Sequence, residues 1–402
     1  MRPFKTTISI DEARRLLAAH VRPVSRTERV PLARAAGRVA ATDVAARMFV
    51  PPFSRSAMDG YAVIAADTVG ATRNAPVRLR VTERVFTGHP PTRPVVRGSC
   101  AEIATGAPLP EGSDAVVMVE ETISVDADSV AIAAVATAGQ NIGRRGADIS
   151  PGDLVVRTGD LLNAARAGAV AAIGCDEVDV FAQPRVAILS TGNEVVEPGR
   201  PLAAGQIYDV NRYTLGAVVE AHGCIADAQP PVRDTIDALE DALTACSGSD
   251  VLIFSGGSSV GERDLVVDLI ARRGEMIFHG IAVKPGKPTA FALIDGVPFF
   301  GMPGNPTSCL SNAYILLVPF LRATARLPVY APRTIRTRLG KRIVSQAGRH
   351  QFYTVRLQDG SAFPAFKGSG DITSLSQADG YIEIPADQST VEEGTLVDVT
   401  LF

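Results

Sequence analysis

Three glycine-containing turns, each placed directly after a short apolar run, constrain the fold of this chain more than any other feature. The apolar runs are strand candidates that a parallel sheet would bury, and the turns at their carboxyl ends would then collect on one rim. Glycine lets backbone N–H groups approach a ligand closely, and a following helix adds its positive N-terminal end. We therefore expect an α/β domain with a site for a phosphorylated or otherwise anionic ligand. The turns read STGNE at residues 190–194, SGGSS at 255–259 and PGNP at 303–306.

Changes of texture along the 402 residues indicate several domains. Short β-type runs broken by glycine and proline span residues 49–139 and predict an inserted β module. Residues 185–327 alternate strand-type and helix-type segments, which predicts a doubly wound α/β domain. After a proline-containing linker, residues 334–402 read as strands and turns and predict a small β barrel or sandwich.

Two N-terminal segments have helical patterns. Ser9 and Glu12 stand at the spacing of a capping box, and apolar residues follow at helical intervals, so a helix is predicted to begin there. A second, shorter helix is predicted over residues 32–41.

Composition excludes several kinds of partner and site. The chain has 40 basic and 43 acidic side chains, a formal charge of −3 and no tryptophan, so neither charge nor base stacking favours nucleic acid. Its five cysteines form no CxxC pair, and their odd number rules out a complete disulfide framework and favours a reducing compartment. The five histidines are scattered singly, so no zinc site is predicted.

No segment is typical of secretion or of membrane spanning. The first residues lead into the N-terminal helix without the apolar stretch of a signal peptide. The most apolar later stretch, residues 161–175, is interrupted by Arg166 and is too short to cross a bilayer. We therefore expect a soluble, cytoplasmic protein that does not bind a membrane.

Two acidic residues follow glycine turns in positions that allow two interpretations. Glu194 ends the first turn, and Asp264 follows the second turn where a helix is predicted to begin. Acids at such positions often cap helices, and for either residue alone capping is the favoured interpretation. A carboxylate beside bound phosphates is repelled unless a divalent cation lies between them, so the two acids together favour Mg²⁺.

A lysine turn supplies candidate ligands for an oxyanion. The sequence KPGKP at residues 284–288 cannot be helical, because proline and glycine separate Lys284 from Lys287. In isolation this would be a solvated basic turn, but it precedes the turn at residues 303–306 on the same predicted domain. There two prolines stiffen the loop, while a glycine and an asparagine can take the left-handed conformation and present N–H groups.

Residues 52–62, which read PFSRSAMDGYA, form a fourth candidate, although taken alone they could be a turn with a buried aromatic pair. Together with the other motifs, this segment resembles the molybdopterin molybdenumtransferase family, which includes the E-domain of gephyrin. Each motif is short, but their number and order are specific and extend over essentially the whole chain. The motifs are SAMDGYA at 56–62, TGAPLP at 105–110, RRG at 144–146, the stretch 189–194, the loop 256–264, KPGKP at 284–288, PGNP at 303–306, GSG at 368–370 and ADG at 378–380.

The resemblance implies a multidomain α/β fold. It implies an elongated helical domain built from residues 1–48 and 140–178, and an inserted β domain at 49–139. An α/β substrate-binding domain would span residues 179–327, and a C-terminal β-barrel-like domain would span 328–402. It also implies a homodimer whose active cleft combines the α/β domain of one subunit with the inserted domain of the other.

The same resemblance implies a Mg²⁺-dependent transferase of molybdenum cofactor biosynthesis. Such an enzyme takes adenylylated molybdopterin and molybdate, inserts the metal into the dithiolene and releases AMP. Transient contact with the molybdopterin adenylyltransferase that supplies the substrate is expected as well.

The turns and the resemblance together give individual residues expected roles. The expected catalytic residues are Asp59, Glu194, Asp234 and Asp264, of which Glu194 and Asp264 would bind Mg²⁺. The expected substrate-binding residues are Ser56, Thr105, Arg145, Ser190, Thr191, Gly192, Gly256, Gly257, Ser259, Pro303, Gly304, Asn305 and Pro306. Molybdate is a tetrahedral dianion and should use the donors that bind sulfate or phosphate. The expected molybdate-binding residues are Lys284, Lys287, Pro288, Ser308, Arg349 and Ser374.

Two other functions remain open from the sequence. Adenylylation of molybdopterin by ATP, the preceding step, would use a similar α/β domain, but the additional domains and the motif around Asp59 favour metal insertion. A scaffold role, which gephyrin also serves, is less favoured because the chain shows no long disordered linker or appended domain.

Overall fold

A computed structural model describes residues 7–126, 128–256, 265–345 and 348–402 of the chain. The chain divides into two compact units, which we call the large unit and the small unit. The large unit consists of Met1–Glu28, Gly37–Ala41 and Asp179–Phe402, and the small unit consists of Arg29–Ala36 and Thr42–Val178.

The N-terminal helix α1 (Ile10–Ala19) begins where the capping-box spacing predicted. The backbone N–H of Glu12 donates a hydrogen bond of 3.1 Å to the Ser9 hydroxyl, which satisfies one of the free donors at the helix start. The helix predicted over residues 32–41 is wrong. Only a 3₁₀ turn (Leu32–Arg34) forms there, because Gly37 takes a φ of +80° and the following chain is extended.

Most elements of the small unit are short strands. In the sequence they are flanked by two strands, Thr27–Pro31 and Glu177–Phe181, within which the chain passes from one unit to the other. In chain order the elements are β1 (Thr27–Pro31), β2 (Val44–Ala45), β3 (Arg55–Ser56), β4 (Gly60–Val63), β5 (Val77–Val85), β6 (Ser99–Ile103), β7 (Ala115–Met118), β8 (Thr122–Asp126), β9 (Ser129–Ile132), β10 (Ile142–Gly143), β11 (Leu154–Val156), α2 (Ala164–Ala172) and β12 (Glu177–Phe181).

A six-stranded sheet with the order β7-β4-β6-β5-β9-β8 forms the body of the small unit. Its pairings are antiparallel except for β5 with β6. Leu79, Val117 and Ile132 are fully or nearly fully buried on one face of this sheet. The sheet lies within the segment that the sequence predicted as an inserted β domain.

The ranges expected to form an elongated helical domain differ from that expectation in one respect. Their described helices are α1 and α2, and these two helices belong to different units. The reason is the apolar face of α1, on which Ile10, Ala13 and Leu17 are buried in the main core of the large unit. Hydrophobic burial therefore assigns α1 to the α/β part of the chain.

The central part of the large unit alternates strands and helices as the sequence predicted. Its elements are β13 (Arg185–Ser190), β14 (Val195–Val196), β15 (Ile207–Tyr208), α3 (Asn211–Ala221), β16 (Ile225–Ala228), α4 (Ile236–Ala245), β17 (Val251–Ser255), α5 (Leu265–Arg273), β18 (Gly274–His279), β19 (Val283–Lys284), β20 (Ala290–Ile294), β21 (Val297–Met302), α6 (Pro306–Asn312), a π-helical segment (Ala313–Leu317) and α7 (Val318–Thr324).

These strands form a six-stranded sheet with the order β16-β13-β17-β21-β20-β18. The four strands from β16 to β21 are parallel, and β20 pairs antiparallel with both of its neighbours, β21 and β18. One face packs against α3, α6 and α7 through residues such as Leu215 and Leu321, and the other packs against α4 and α5 through Leu239 and Leu269. Helices on both faces confirm a doubly wound domain, whose strand order reverses between β13 and β17.

The C-terminal part of the large unit is a small barrel. Its elements are β22 (Thr334–Leu339), β23 (Ile343–Val344), β24 (His350–Gln358), β25 (Ser361–Pro364), α8 (Thr373–Ser376), β26 (Gly380–Ile384), β27 (Thr390–Val391) and β28 (Leu396–Leu401). The sheet β24-β25-β22-β28-β26 closes because β24 also pairs with β26, and β19 of the α/β part adds to β24. Closure leaves no free edge in the ring and confirms the barrel-like prediction.

Among the described residues, no helix is long and apolar enough to span a membrane.

Candidate functional site

The three glycine turns meet at one rim of the large sheet. Ser190 at the end of β13 pairs in parallel with Ser255 at the end of β17, and Ser255 pairs with Met302 at the end of β21. The N–H of Thr191 donates to the carbonyl oxygen of Ser255 at 2.9 Å, and the N–H of Gly256 donates to that of Met302 at 3.3 Å. The turns therefore lie side by side at the point where the strand order reverses, which is where doubly wound sheets bind ligands.

Only glycine fits at the middle of this rim. Gly256 has a φ of +102°, and a Cβ atom there would lie 2.2 Å from the carbonyl oxygen of Thr191. The third turn is adjacent, since a Cβ on Gly304 would make an ordinary contact of 3.5 Å with the Cα of Gly256. The backbones of all three turns are thus in contact, which leaves their amide groups close to any ligand that binds above them.

A buried asparagine that sequence reasoning missed joins two of the turns. Asn211 is the first residue of α3 and is only 6% exposed. Its Nδ2 donates hydrogen bonds to the Ser255 hydroxyl at 2.6 Å and to the Gly304 carbonyl oxygen at 2.8 Å. Asp209, two residues earlier, is 4% exposed and accepts a 3.0 Å hydrogen bond from the N–H of Arg212. The available signal was the pair of polar residues that precedes the apolar positions of the helical segment 211–221.

Buried oxygen atoms without a hydrogen-bond partner concentrate at this rim. Buried polar groups are nearly always paired, so such a concentration marks a place built for a ligand. Within the described part of the chain, the unpartnered rim atoms are Ser190 Oγ, Thr191 Oγ1, Asp209 Oδ2, Asn211 Oδ1 and Asp234 Oδ1.

Two of the predicted acids lie close together at the rim. The carboxylate of Glu194 folds back over Gly192, where a Cβ atom would lie 2.8 Å from either carboxylate oxygen. Burial, and then the negative charge of Glu194, raise the pKa of the Asp234 carboxyl. The N–H of Asp234 is also 3.4 Å from the side-chain oxygen of Asn193. Two carboxylates that repel each other favour a cation between or beside them.

The third acid, Asp264, lies outside the described residues, as do Gly257 and Ser259. Among the side chains that the structure describes, no group of three or more His, Cys, Asp or Glu could hold a metal ion. The Mg²⁺ pair of Glu194 and Asp264 therefore stays a prediction.

The lysine turn and the C-terminal barrel are adjacent. Lys284 ends β19 and pairs with Gln351 of β24, and the N–H of His350 donates to the carbonyl oxygen of Ala282 at 3.0 Å. Arg349 directly precedes His350, the first residue of β24, and so lies beside the strand β19 that carries Lys284. Both lysines of the turn, Lys284 and Lys287, are partly exposed.

A loop of the barrel contacts the third glycine turn. Asn305 Nδ2 donates to the Ser369 hydroxyl at 3.2 Å, and the Thr307 hydroxyl donates to the Asp371 carbonyl oxygen at 2.8 Å. Ser374 is fully buried, and its hydroxyl accepts a 2.9 Å hydrogen bond from the N–H of Lys367. Because its hydroxyl is buried and hydrogen-bonded within the loop, Ser374 stabilises the shape of this loop and is not exposed to a ligand.

In the small unit, the structure brings together two predicted site residues that are 46 positions apart. Asp59 Oδ1 accepts hydrogen bonds from the Thr105 N–H at 2.7 Å and from the Thr105 hydroxyl at 2.9 Å. These two bonds hold the pKa of the Asp59 carboxyl below its usual range. Asp59 lines a pocket of about 220 Å³ together with Tyr61 and Arg84, so its carboxylate borders a space that a ligand can enter.

The other two predicted residues of the small unit have different surroundings. Ser56 is 1% exposed, and its hydroxyl donates to the Met58 carbonyl oxygen at 2.5 Å, which fixes the turn that carries Asp59. Arg145 is exposed, and its guanidinium carbon lies 4.4 Å from the centre of the Phe49 ring. Arg145 is therefore a charged group held in place by a cation–π contact.

The large unit, with its reversed strand order and polar rim, is of the class of α/β domains that bind ligands at such a switch point. Comparison with known proteins adds the family. Residues 8–174 match the MoeA N-terminal region (domain I and II), residues 187–323 match the probable molybdopterin binding domain, and residues 336–402 match the MoeA C-terminal region (domain IV).

Full-length relatives agree with these matches. Molybdopterin molybdenumtransferase 2 of Mycobacterium tuberculosis is 35% identical over 402 residues, covering 97% of this chain and 98% of the relative. Molybdopterin molybdenumtransferase of Haemophilus influenzae is 32% identical over 403 residues, covering 98% of each. A crystal structure of the molybdopterin biosynthesis MoeA protein from Pyrococcus horikoshii has a TM-score of 0.84 at 38% identity, covering 98% of this chain and 99% of that one. The chain belongs to the molybdopterin molybdenumtransferase (MoeA) family.

The contact between Asp59 and Thr105 gives a direct prediction. Replacing Thr105 by valine removes the hydroxyl donor but keeps the backbone N–H, so the pKa of Asp59 should rise toward the usual carboxyl value. The carboxyl ¹³C chemical shift of Asp59, followed through a pH titration, measures this change.

Thr82→Val is the matched control, because the Thr82 hydroxyl bonds the Cys100 carbonyl oxygen instead. The control should leave the Asp59 titration unchanged. An Asp59 titration that is the same in wild type and Thr105→Val would contradict the assignment.

Proposed function

We propose that the protein inserts molybdenum into adenylylated molybdopterin, using molybdate and releasing AMP. The observation that carries the proposal is the set of buried, unpartnered oxygen atoms between the three glycine turns. Ligand hydroxyl and amino groups can donate to these oxygens, while the N–H groups of the turns can donate to a pyrophosphate. The names of the full-length relatives and of the matching families favour molybdopterin as the ligand class.

The residues at the rim fit a magnesium ion. Their side-chain ligand atoms are carboxylate and hydroxyl oxygens, which Mg²⁺ prefers. Burial, and then the negative charge of Glu194, raise the pKa of Asp234, and a cation would offset that charge. When bound, the ion would neutralise charge on the phosphates as the phosphoanhydride is cleaved. Glu194 and Asp264 would hold it, and the N–H groups of the glycine turns would orient the pyrophosphate.

Molybdate would bind beside the lysine turn. Lys284 and Lys287 provide positive charge, and Pro288 limits the mobility of the turn. Ser308 and Arg349 would add donors, and Ser374 would act by holding the barrel loop in place. A tetrahedral dianion is bound well by such a combination of ammonium, guanidinium and hydroxyl groups.

The proposal includes a homodimer in which the Asp59 pocket of one chain works with the rim of the other. An ionised Asp59 would then accept hydrogen bonds from the pterin-bearing substrate. We also propose that the protein acts in the cytoplasm and receives its substrate from a molybdopterin adenylyltransferase by transient contact.

The function is tested by AMP release. Purified protein should release AMP from adenylylated molybdopterin only when molybdate and Mg²⁺ are present, and sulfate in place of molybdate should not support release. Consumption of ATP with unmodified molybdopterin would instead indicate the adenylylation reaction. AMP release that is indifferent to molybdate would exclude metal insertion.

The shared site is tested by mixing two inactive variants. Asp59→Asn and Glu194→Gln should each lose turnover alone. A hybrid dimer keeps one site in which both residues are wild type, so random mixing should restore about a quarter of wild-type activity. Mixtures that stay as inactive as the separate variants would contradict a site built from two chains.

The metal role of Glu194 is tested separately. Because Glu194 is exposed, Glu194→Gln should change the free energy of unfolding by less than about 0.5 kcal/mol. It should lower Mg²⁺-dependent AMP release by about tenfold or more and reduce the stabilisation that Mg²⁺ gives in thermal melts. Helix capping is not an alternative for Glu194, because the strand β14 (Val195–Val196) follows it. Normal kinetics and an unchanged response to Mg²⁺ in Glu194→Gln would contradict the metal role.

Glu197→Gln is the control for this experiment. Glu197 lies three residues further on and pairs with Arg212 at 2.9 Å. Its replacement should leave the response to Mg²⁺ unchanged.

A further inference from the structure

A second buried asparagine connects helix α6 to the lysine turn. Asn312 is fully buried at the end of α6. Its Nδ2 donates hydrogen bonds to the Gly286 carbonyl oxygen at 2.8 Å and to the Thr289 hydroxyl at 2.5 Å. The Thr289 hydroxyl in turn donates to the Gly286 carbonyl oxygen at 3.0 Å. Three groups from two segments thus form a closed hydrogen-bonded set in the interior.

The fit between Asn312 and the turn is tight. Gly286 has a φ of +103°, and a Cβ atom at that position would lie 2.2 Å from Asn312 Nδ2. The asparagine therefore occupies the space that any other residue at position 286 would fill. The Asn312 side chain therefore packs directly against the backbone of the turn at Gly286.

The hydrogen bonding of Asn312 indicates a positioning role. Its Oδ1 atom is buried and has no hydrogen-bond partner among the residues that the structure describes. An unpartnered buried oxygen lowers the stability of the fold, and a leucine of similar size at this position would avoid that cost. What asparagine adds at this position is the pair of donor contacts that fixes the turn.

The same helix carries a candidate anion ligand. Ser308 and Asn312 are four residues apart in α6, so they lie on one face of the helix. Ser308 is 3% exposed. The Asn312 amide fixes the separation between this helix face and the turn that carries Lys284 and Lys287.

We propose that Asn312 is a positioning residue that sets the affinity of the site for molybdate. This inference rests on the proposed function, in which Ser308 and the two lysines hold that anion. Donors held at a fixed spacing bind a tetrahedral dianion more tightly than mobile donors, because less freedom is lost on binding.

Asn211 provides a matched comparison within the same domain. It is also a buried asparagine whose Nδ2 joins two segments, but those segments are the strand end at Ser255 and the turn at Gly304. Loss of the Asn211 amide should therefore disturb the glycine turns, where the proposed function places the pyrophosphate. Loss of the Asn312 amide should disturb the lysine turn, where the proposed function places molybdate.

The experiment uses the full chain and three variants, Asn312→Leu, Thr289→Val and Asn211→Leu. AMP release is measured against molybdate concentration with adenylylated molybdopterin saturating, and then against adenylylated molybdopterin with molybdate saturating. Molybdate binding is measured in parallel by isothermal titration calorimetry, and thermal melts identify the variants that fold.

Asn312→Leu should raise the KM and Kd for molybdate by about tenfold and change kcat by less than about twofold. Thr289→Val, which removes one of the two acceptors and keeps the volume, should shift the same constants less. Asn211→Leu should raise the KM for adenylylated molybdopterin and leave the molybdate constants unchanged.

Unchanged molybdate constants in folded Asn312→Leu would overturn the inference, as would a fall in kcat with an unchanged KM for molybdate. If Asn312→Leu does not fold, Thr289→Val decides by the same criteria. Wild-type protein that neither binds molybdate nor responds to it would instead overturn the proposed function, and the inference with it.

Discussion

The site depends on the parallel register of three strands. Ser190, Ser255 and Met302 are neighbours across β13, β17 and β21, so the three segments leave the sheet at one level. A shift of one residue in any of these strands would move each of its side chains to the opposite face of the sheet, where it would no longer fit the helices that pack there. The core therefore fixes the register, and the register determines where the glycine turns meet.

Backbone pairing brings the turns together, and buried side-chain amides hold them there. Asn211 joins the second strand end to the third turn, and Asn312 joins α6 to the lysine turn. In each case Nδ2 makes two hydrogen bonds while Oδ1 has none among the described residues. An amide that is only half hydrogen-bonded destabilises a core. Functional sites commonly lower the stability of the fold in this way, because the groups that position a ligand are not the groups that pack best.

Sequence reasoning succeeded where the signal was local and failed where it was not. The strands, the glycine turns and the start of α1 follow from periodicity, turn residues and capping, each visible within about ten residues. The helix predicted over residues 32–41 failed because periodicity does not show that Gly37 would take a positive φ. Neither the Asp59–Thr105 contact nor the Asn312–Gly286 contact follows from spacing, since each joins segments that only the tertiary fold brings together.

Two aspartates illustrate how environment separates the roles of identical side chains. Asp59 accepts two hydrogen bonds from Thr105, so its pKa is lowered and it stays ionised. Its contribution to stability is therefore present at neutral pH and is lost as the pH falls through its lowered pKa. Asp234 is the opposite case, because burial and the charge of Glu194 raise its pKa. Its ionised form destabilises the fold at neutral pH, and acidification through the raised pKa relieves this effect. A bound cation would relieve the repulsion from Glu194 without a proton, so that part of the cost at Asp234 would favour the binding of a divalent ion.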